Sequence, residues 1–275
     1  MLNSHIYGID PGSSIVKIYS RQSDEIIKEK NMIAIRNRED ILAAGNEAYE
    51  MFEKNPANVT VSSPMSGGMI ANISYLEIML HYLLRRTGRR VGRHPVIYFA
   101  VPVDMTEIEK RAYYSVAHSG QLRKSKVLLV EKPIADALAR GIPINKTKGS
   151  MIVNIGAATT EISVIADARV IISKIVPLGG EQFNRDIVNT VRRAYNFSIS
   201  QRTANRLKVS LADLKTQKKI AGRVAGIDCV AGLPREKVIP SGLINRSVRS
   251  GVEEIGQEIR SFLERTPPQI HRNIL

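Results

Sequence analysis

With 275 residues, 43% hydrophobic content and 24% charged residues, the chain can bury one large or two medium cores and is not a disordered segment. Its single cysteine, Cys229, excludes an internal disulfide and a cysteine-rich metal site and fits a reducing cytoplasm; it reads as a buried packing thiol in the apolar run Val224 to Val230. The formal net charge of +14 asks for an acidic counterpart (nucleic acid, anionic lipid or an acidic protein) unless it is only a solvated basic surface, while no apolar run spans a membrane and the N-terminus enters a strand with no signal peptide.

In chain order, Ile6 to Ile18 reads as strand, small-residue turn and strand, with Asp10, Gly12, Ser13 and Ser14 at the turn. Glu25 to Glu29 and Met32 to Arg36 extend a small sheet, and Ile41 to Phe52 is a short strand passing into a helix. Asn55 to Gly68, with Pro56, Pro64, Gly67 and Gly68, reads as loop in a small inserted subdomain. Ile73, Leu76, Met79, Leu80, Leu83 and Leu84 share one helical face. Val96 to Val101 is a buried strand. Thr106 and Glu109 form a capping box opening a helix through Ser119. Lys126 to Val130 is a strand, and Pro133 starts a helix ending near Gly141. The alternation of strand and helix argues for an α/β sheet.

The turn plan then recurs. Met151, Ile152 and Val153 lead into Asn154-Ile155-Gly156-Ala157-Ala158-Thr159-Thr160, and Ile162, Val164 and Ala166 leave it. Asp10 answers to Asn154, Gly12 to Gly156, and Ser13-Ser14 roughly to Ala158-Thr159. A single such loop is either a plain turn or a nest of backbone N–H groups for phosphate oxygens; its repetition, once per half, favours two similar α/β domains around one polyphosphate. Glu181 to Tyr195 and Ser200 to Val209 follow as helices, with two strands around 221–229 and 235–239. A last amphipathic helix from Ser241 carries Leu243, Ile244, Val248, Val252, Ile255, Ile259, Phe262 and Leu263 on one face.

With these hairpins go Ala100-Val101-Pro102, Thr106 to Ala112, Lys148 to Met151, Pro177 to Phe183, Gly232 to Glu236 and Glu264 to Pro268. Together they make the chain resemble the actin-like ATPases, and within them the MreB rod-shape-determining proteins, over residues 6 to 275. The resemblance implies an α/β actin-like ATPase fold, two similar domains around a nucleotide cleft. It implies domain I at 1–145, with an inserted subdomain at about 32–72, and domain II at 146–275, with one at about 196–240. Against the family the last part of the second domain, including the glycine-rich adenine turn, is missing after Leu275.

The same resemblance assigns Asp10 to the water shell of Mg²⁺, and Gly12, Ser13, Ser14, Gly156, Ala157, Ala158, Thr159, Thr160, Gly179, Gly180, Asn205 and Lys208 to ATP. It also exposes departures. Asn154 stands where the family has an Asp, and Ala157 and Ala158 replace glycines. Lys132 occupies the place of the Glu that positions the attacking water, and Glu131 is one residue out of register for that task. Asn205 replaces a nucleotide-contacting Glu. Hydrolysis needs oriented water and a cation to spread charge, so Lys132 and Asn154 predict a degenerate, weakly hydrolysing relative. The departures leave three readings: an MreB-like shape or wall-synthesis protein that associates with itself or with full-length relatives, a competent ATP-hydrolysing filament subunit, or a nucleotide-free basic scaffold.

Arg85 to His94 contains five arginines. The family carries an apolar membrane-dipping pair in this loop; here Val91-Gly92 takes its place, flanked by Arg89, Arg90 and Arg93. Anionic lipid would attract such a cluster by about 1 kcal/mol per nearby basic residue, which implies a cytoplasmic protein that can sit on the inner face of the membrane; an ordinary solvated loop is the alternative. Nucleic acid is disfavoured, because no aromatic residue interleaves the arginines.

Overall fold

The structure is a computed structural model that describes residues 5–37, 40–52, 54, 58–86, 91–92, 94–216 and 219–274, without the side chain of residue 121. By contacts the chain forms two compact units. The first comprises Met1–Ala157, Ser163–Ser173 and Pro268–Leu275, and the second Ala158–Ile162 and Lys174–Pro267.

The first unit opens with an antiparallel meander, β1 (Ile6–Pro11), β2 (Ile15–Ser20) and β3 (Glu25–Lys30). Val16, Ile18 and Ser20 point inwards from β2 while Ile15, Lys17 and Tyr19 point out, the period-two pattern of a half-buried strand. A small sheet follows, built from β4 (Ile33–Arg36) and β5 (Asp40–Ala44), then helix α1 (Asn46–Phe52) and β6 (Val59–Ser62), in the order β5-β4-β6. A two-stranded hairpin, β7 (Met65–Ser66) and β8 (Met69–Ile70), turns at Gly67 and Gly68, both at positive φ. The stretch read as loop from 55 to 68 therefore carries strands in its described part. Val59-Thr60-Val61 supplies β-branched residues that pair along β4, and the Pro and Gly positions punctuate the strands instead of abolishing them.

Helix α2 (Ile73–Arg85) starts at Asn72, whose side chain accepts from the Tyr75 N–H. It buries Leu76, Met79, Leu80, Leu83 and Leu84, whereas Ile73, in its first turn, stays exposed. The strand β9 (Val96–Val101), helix α3 (Glu107–Ala117) and strand β10 (Lys126–Glu131) then form a crossover, closed at its helix by the Thr106–Glu109 capping box. The sheet order is β10-β9-β1-β2-β3, with β1, β9 and β10 parallel. Helix α4 (Lys132–Ala139) follows β10 directly, with Pro133 in its first turn. The core of this unit gathers Tyr7, Ile9, Val16, Ile18, the buried face of α2, Phe99 and Tyr113, with Phe99 and Tyr113 meeting edge to face at 5.3 Å between ring centroids.

Next come β11 (Ser150–Ile155), β12 (Thr160–Ala166) and β13 (Arg169–Val176), a sheet in that order with β12 buried along its whole length. The turn between β12 and β13 places Asp167 and Ala168 at positive φ, as a tight hairpin requires.

In the second unit, α5 (Gly180–Tyr195) ends on a left-handed Asn196. Strand β14 (Phe197–Ser198), helix α6 (Gln201–Leu211), strands β15 (Ala221–Asp228) and β16 (Pro234–Pro240) and the long helix α7 (Ser241–Glu264) complete it. Ile187, Val191, Phe197, Leu207, Ile239, Ile244 and Val248 form its core. On α7 the apolar face holds except at Val252, which is exposed; Gly251 is buried instead, letting the Phe183 ring approach the backbone so closely that a Cβ there would meet it at 2.5 Å. Helix α8 (Pro268–Ile274) returns the chain to the first unit and packs on β11.

Cys229 corrects its expectation. It is exposed, because β15 ends at Asp228 and the chain turns there, with Asp228 Oδ1 accepting from the N–H groups of Val230 and Ala231. Apolar neighbours in sequence suggested a buried strand; the Asx-type turn takes the thiol out of it.

Candidate functional site: two hairpin loops and a cationic clamp

Asp10 lies on β1 opposite Lys17 on β2, and the register brings Lys17 Nζ to 2.7 Å from Asp10 Oδ2. The opposite oxygen, Oδ1, faces Lys132 Nζ at 2.9 Å. That oxygen is shut off from solvent and takes no hydrogen bond of regular geometry, so the Lys132 ammonium is its counter-charge. Burial works to raise the Asp10 carboxyl, but Lys132 and Lys17 outweigh it and hold it below the ordinary carboxylate range. Tyr113 on α3 completes the surroundings: burial first, then the Asp10 charge, push its hydroxyl well above the usual value.

The loop after Asp10 is held by its backbone. The Gly12 N–H donates to the Asp10 carbonyl at 3.0 Å, and a Cβ on Gly12 would sit 2.6 Å from the Ile15 carbonyl oxygen, so only glycine fits without a shift. Ser13 accepts at Oγ from the Gly68 N–H at 2.9 Å and at its carbonyl from the Asn31 amide at 2.8 Å. The Ser14 carbonyl accepts from the Asn31 N–H at 2.9 Å. These contacts spend acceptors, leaving the hydroxyl protons available to an anion.

Helix α4 connects this loop to the second hairpin. Lys132 and Asp136 stand four residues apart, one turn, on the same face. Asp136 Oδ2 accepts from Asn154 Nδ2 at 2.6 Å, fixing the amide at the end of β11. Sequence reasoning missed Asp136; its signal was the four-residue spacing from Lys132. Glu131 is exposed at the position before α4 and makes no side-chain cap.

Of the remaining candidates, Gly156 and Ala157 complete the turn on the first unit. On the second unit, Ala158 and Thr159 are half-buried, while Thr160 is fully buried and donates from Oγ1 to the Leu178 carbonyl at 2.7 Å, which makes it a tie between β12 and the approach to α5. Gly179 precedes α5 and Gly180 opens it; the Gly180 carbonyl accepts from Lys208 Nζ at 2.7 Å. Burial pushes the Lys208 ammonium below its ordinary value, with Glu181 opposing. Asn205 is half-buried on α6, three residues before Lys208. Beside Leu178 a cavity of about 370 Å³ is lined by Gln182 and the carboxylates of Asp186 and Glu254, a lining that repels phosphate.

Arg89, Arg90 and Arg93 lie outside the described residues. Val91 is described, and it packs half-buried against the core of the first unit. Its side chain is thus turned in part towards that core. No helix among the described residues is long and apolar enough to cross a membrane.

The two ammonium groups on Asp10 suit phosphate oxygens. They do not suit hydrated Mg²⁺, which needs oxygen ligands in near-octahedral order: both oxygens of Asp10 face cations, and the second hairpin offers a neutral amide already tied to Asp136. Among the described residues no group of three or more His, Cys, Asp or Glu side chains could hold a metal ion.

Comparison with known proteins agrees along the whole chain. The family model described as MreB/Mbl protein matches residues 4–275. Cell shape-determining protein Mbl of Bacillus subtilis is 30% identical over 273 residues, covering 98% of this chain and 81% of that protein. Cell shape-determining protein MreB of Escherichia coli is 30% identical over 279 residues, covering 98% and 80%. Among solved structures, MreB5 of Spiroplasma citri bound to ADP superposes with a TM-score of 0.90 at 26% identity, covering 98% of this chain and 82% of that one, and its AMPPNP-bound form does so equally at 0.90. The paired hairpins and their sheets are thus those of an actin-like fold, and the chain belongs to the MreB/Mbl family.

Proposed function

We propose that the chain is an actin-like cytoskeletal subunit serving cell shape and wall synthesis, that it acts by self-association or by co-assembly with full-length relatives, and that it binds ATP or ADP while hydrolysing slowly. Mbl and MreB relatives named for cell shape support the role, and the ADP- and AMPPNP-bound MreB5 structures support the nucleotide. The observation that carries the weak hydrolysis is the Lys132–Asp10 ion pair. An ammonium cannot accept a proton from water or orient it as a carboxylate does, and here it is also engaged with the one acidic residue of the loop. Loss of a positioned acid or base commonly costs about a hundredfold or more in rate.

Mass spectrometry of the purified protein reads nucleotide occupancy, a phosphate-release assay reads turnover, and pelleting with and without a full-length relative reads assembly. Occupied nucleotide, turnover near background and co-pelleting are the expected set; brisk turnover by the unaltered chain overturns the weak-hydrolysis reading.

Contact with the inner face of the cell membrane, on this reading, is electrostatic and not insertional, since Val91 packs against the core. Flotation with anionic vesicles should then be lost at high salt; salt-resistant flotation would argue for insertion.

A further inference from the structure

We infer that this chain binds the phosphates of a nucleotide without a divalent cation, the ammonium groups of Lys132 and Lys17 occupying the electrostatic place of the metal. The inference rests on the nucleotide reading above and goes beyond it.

Asp10 and Asp136 carry two negative charges, Lys17 and Lys132 two positive ones, and Asn154 none, so this set is neutral as it stands. A divalent ion added beside Asp10 would have to displace or approach two ammonium groups already within 2.9 Å of the carboxylate. Asp10 Oδ1 has no solvent-facing surface left to reach a metal-bound water.

Geometry points the same way. Each ammonium has three donors; Asp10 takes one of those on Lys17, and Lys132 faces it as an ion pair. Side-chain exposure of 49% for Lys17 and 24% for Lys132 leaves the rest open to a ligand. Lys17 stands on the outward face of β2 and Lys132 at the first turn of α4, on either side of the carboxylate, with Gly12 and Ser13 leading away from it. A phosphate oxygen arriving there meets two fixed cations, held in place by the same residue that elsewhere would hold the metal's water.

The test is binding of a fluorescent methylanthraniloyl-ATP to the whole chain, followed by polarisation in excess MgCl₂ and in excess EDTA. The expected result is a Kd that agrees within about twofold between the two, against the roughly tenfold steps that mark real coupling. Tightening by about tenfold or more in Mg²⁺ overturns the inference while leaving nucleotide binding intact. Absence of binding in both conditions overturns the nucleotide reading and this inference with it. Lys132→Gln, checked for folding by circular dichroism, should weaken binding in EDTA; unchanged affinity in EDTA would also overturn the assignment of Lys132 as a cation on phosphate.

Discussion

The Asn154 amide donates from Nδ2 to Asp136 Oδ2 at 2.6 Å, across from the end of β11 to the middle of α4. The resemblance leads one to expect an Asp at 154, and the partner shows why an amide suits this chain: a second carboxylate would face Asp136.

Asn154→Asp should therefore lower stability by about 1 kcal/mol near neutral pH, the cost of opposing a partly buried acceptor with a like charge. The loss should shrink on acidification as one of the two carboxyls takes a proton. Asp136→Asn in the same chain should restore most of it. Urea midpoints of the single and double variants form the cycle that checks the coupling.

Lys132→Glu places a carboxylate against Asp10 and removes half of its counter-charge. We expect a loss of about 1–3 kcal/mol, below the range for fully buried pairs because both side chains keep some exposure. Lys132→Met, which removes the ammonium without adding repulsion, should lose less. Thermal or urea unfolding of the two variants side by side gives the order; equal losses would mean that the repulsion is screened.

The Asp10 carboxyl is held below the ordinary value of 3.8. Between its folded and unfolded pKa values the unfolded chain binds more protons, so stability rises with pH in that window. The contribution is present above about pH 4 and is lost as pH falls through the folded pKa. The groups facing Asp10 are Lys17 on β2, Lys132 on α4 and Tyr113 on α3, and none of them changes charge in that range. Acid unfolding of Asp10→Asn should accordingly be shallower than that of the unaltered chain.

Gly12→Ala should distort the first hairpin loop, since its Cβ would meet the Ile15 carbonyl at 2.6 Å. A shift of this size in a packed turn costs about 1–3 kcal/mol, and it should weaken nucleotide binding more than Gly242→Ala in the first turn of α7, where a Cβ meets nothing within 4 Å. Fluorescent-nucleotide titration of both variants makes the comparison.

Cys229 should react with a thiol reagent in the native protein about as fast as in the urea-unfolded chain, because it is exposed. Native protection by about tenfold or more would place another surface over this turn.

Much of the architecture was legible because its signals are local. The Thr106–Glu109 capping box, the spaced leucines of α2 and the strand–turn–strand pattern of Ile6 to Ile18 each predict what the structure contains. The strands between 59 and 70 were hidden by prolines and glycines that bound short strands as readily as they make loops. At the site, residue types gave away Asp10, Lys132 and Asn154, but not what they touch. The engagement of Lys17 follows from strand register, and that of Asp136 from the packing of α4 on β11. Pairings between residues 7 and 18 apart leave little mark on a single sequence, and Thr160 shows the converse: a hydroxyl in a suggestive loop that the fold uses for itself.

Helix α4 also has a bearing on ancestry. A carboxylate introduced alone, at 132 or at 154, would face a carboxylate already present, Asp10 at the start of this short helix or Asp136 in its middle. A reversal at either position is therefore conditional on the residue that faces it, at 10 or at 136.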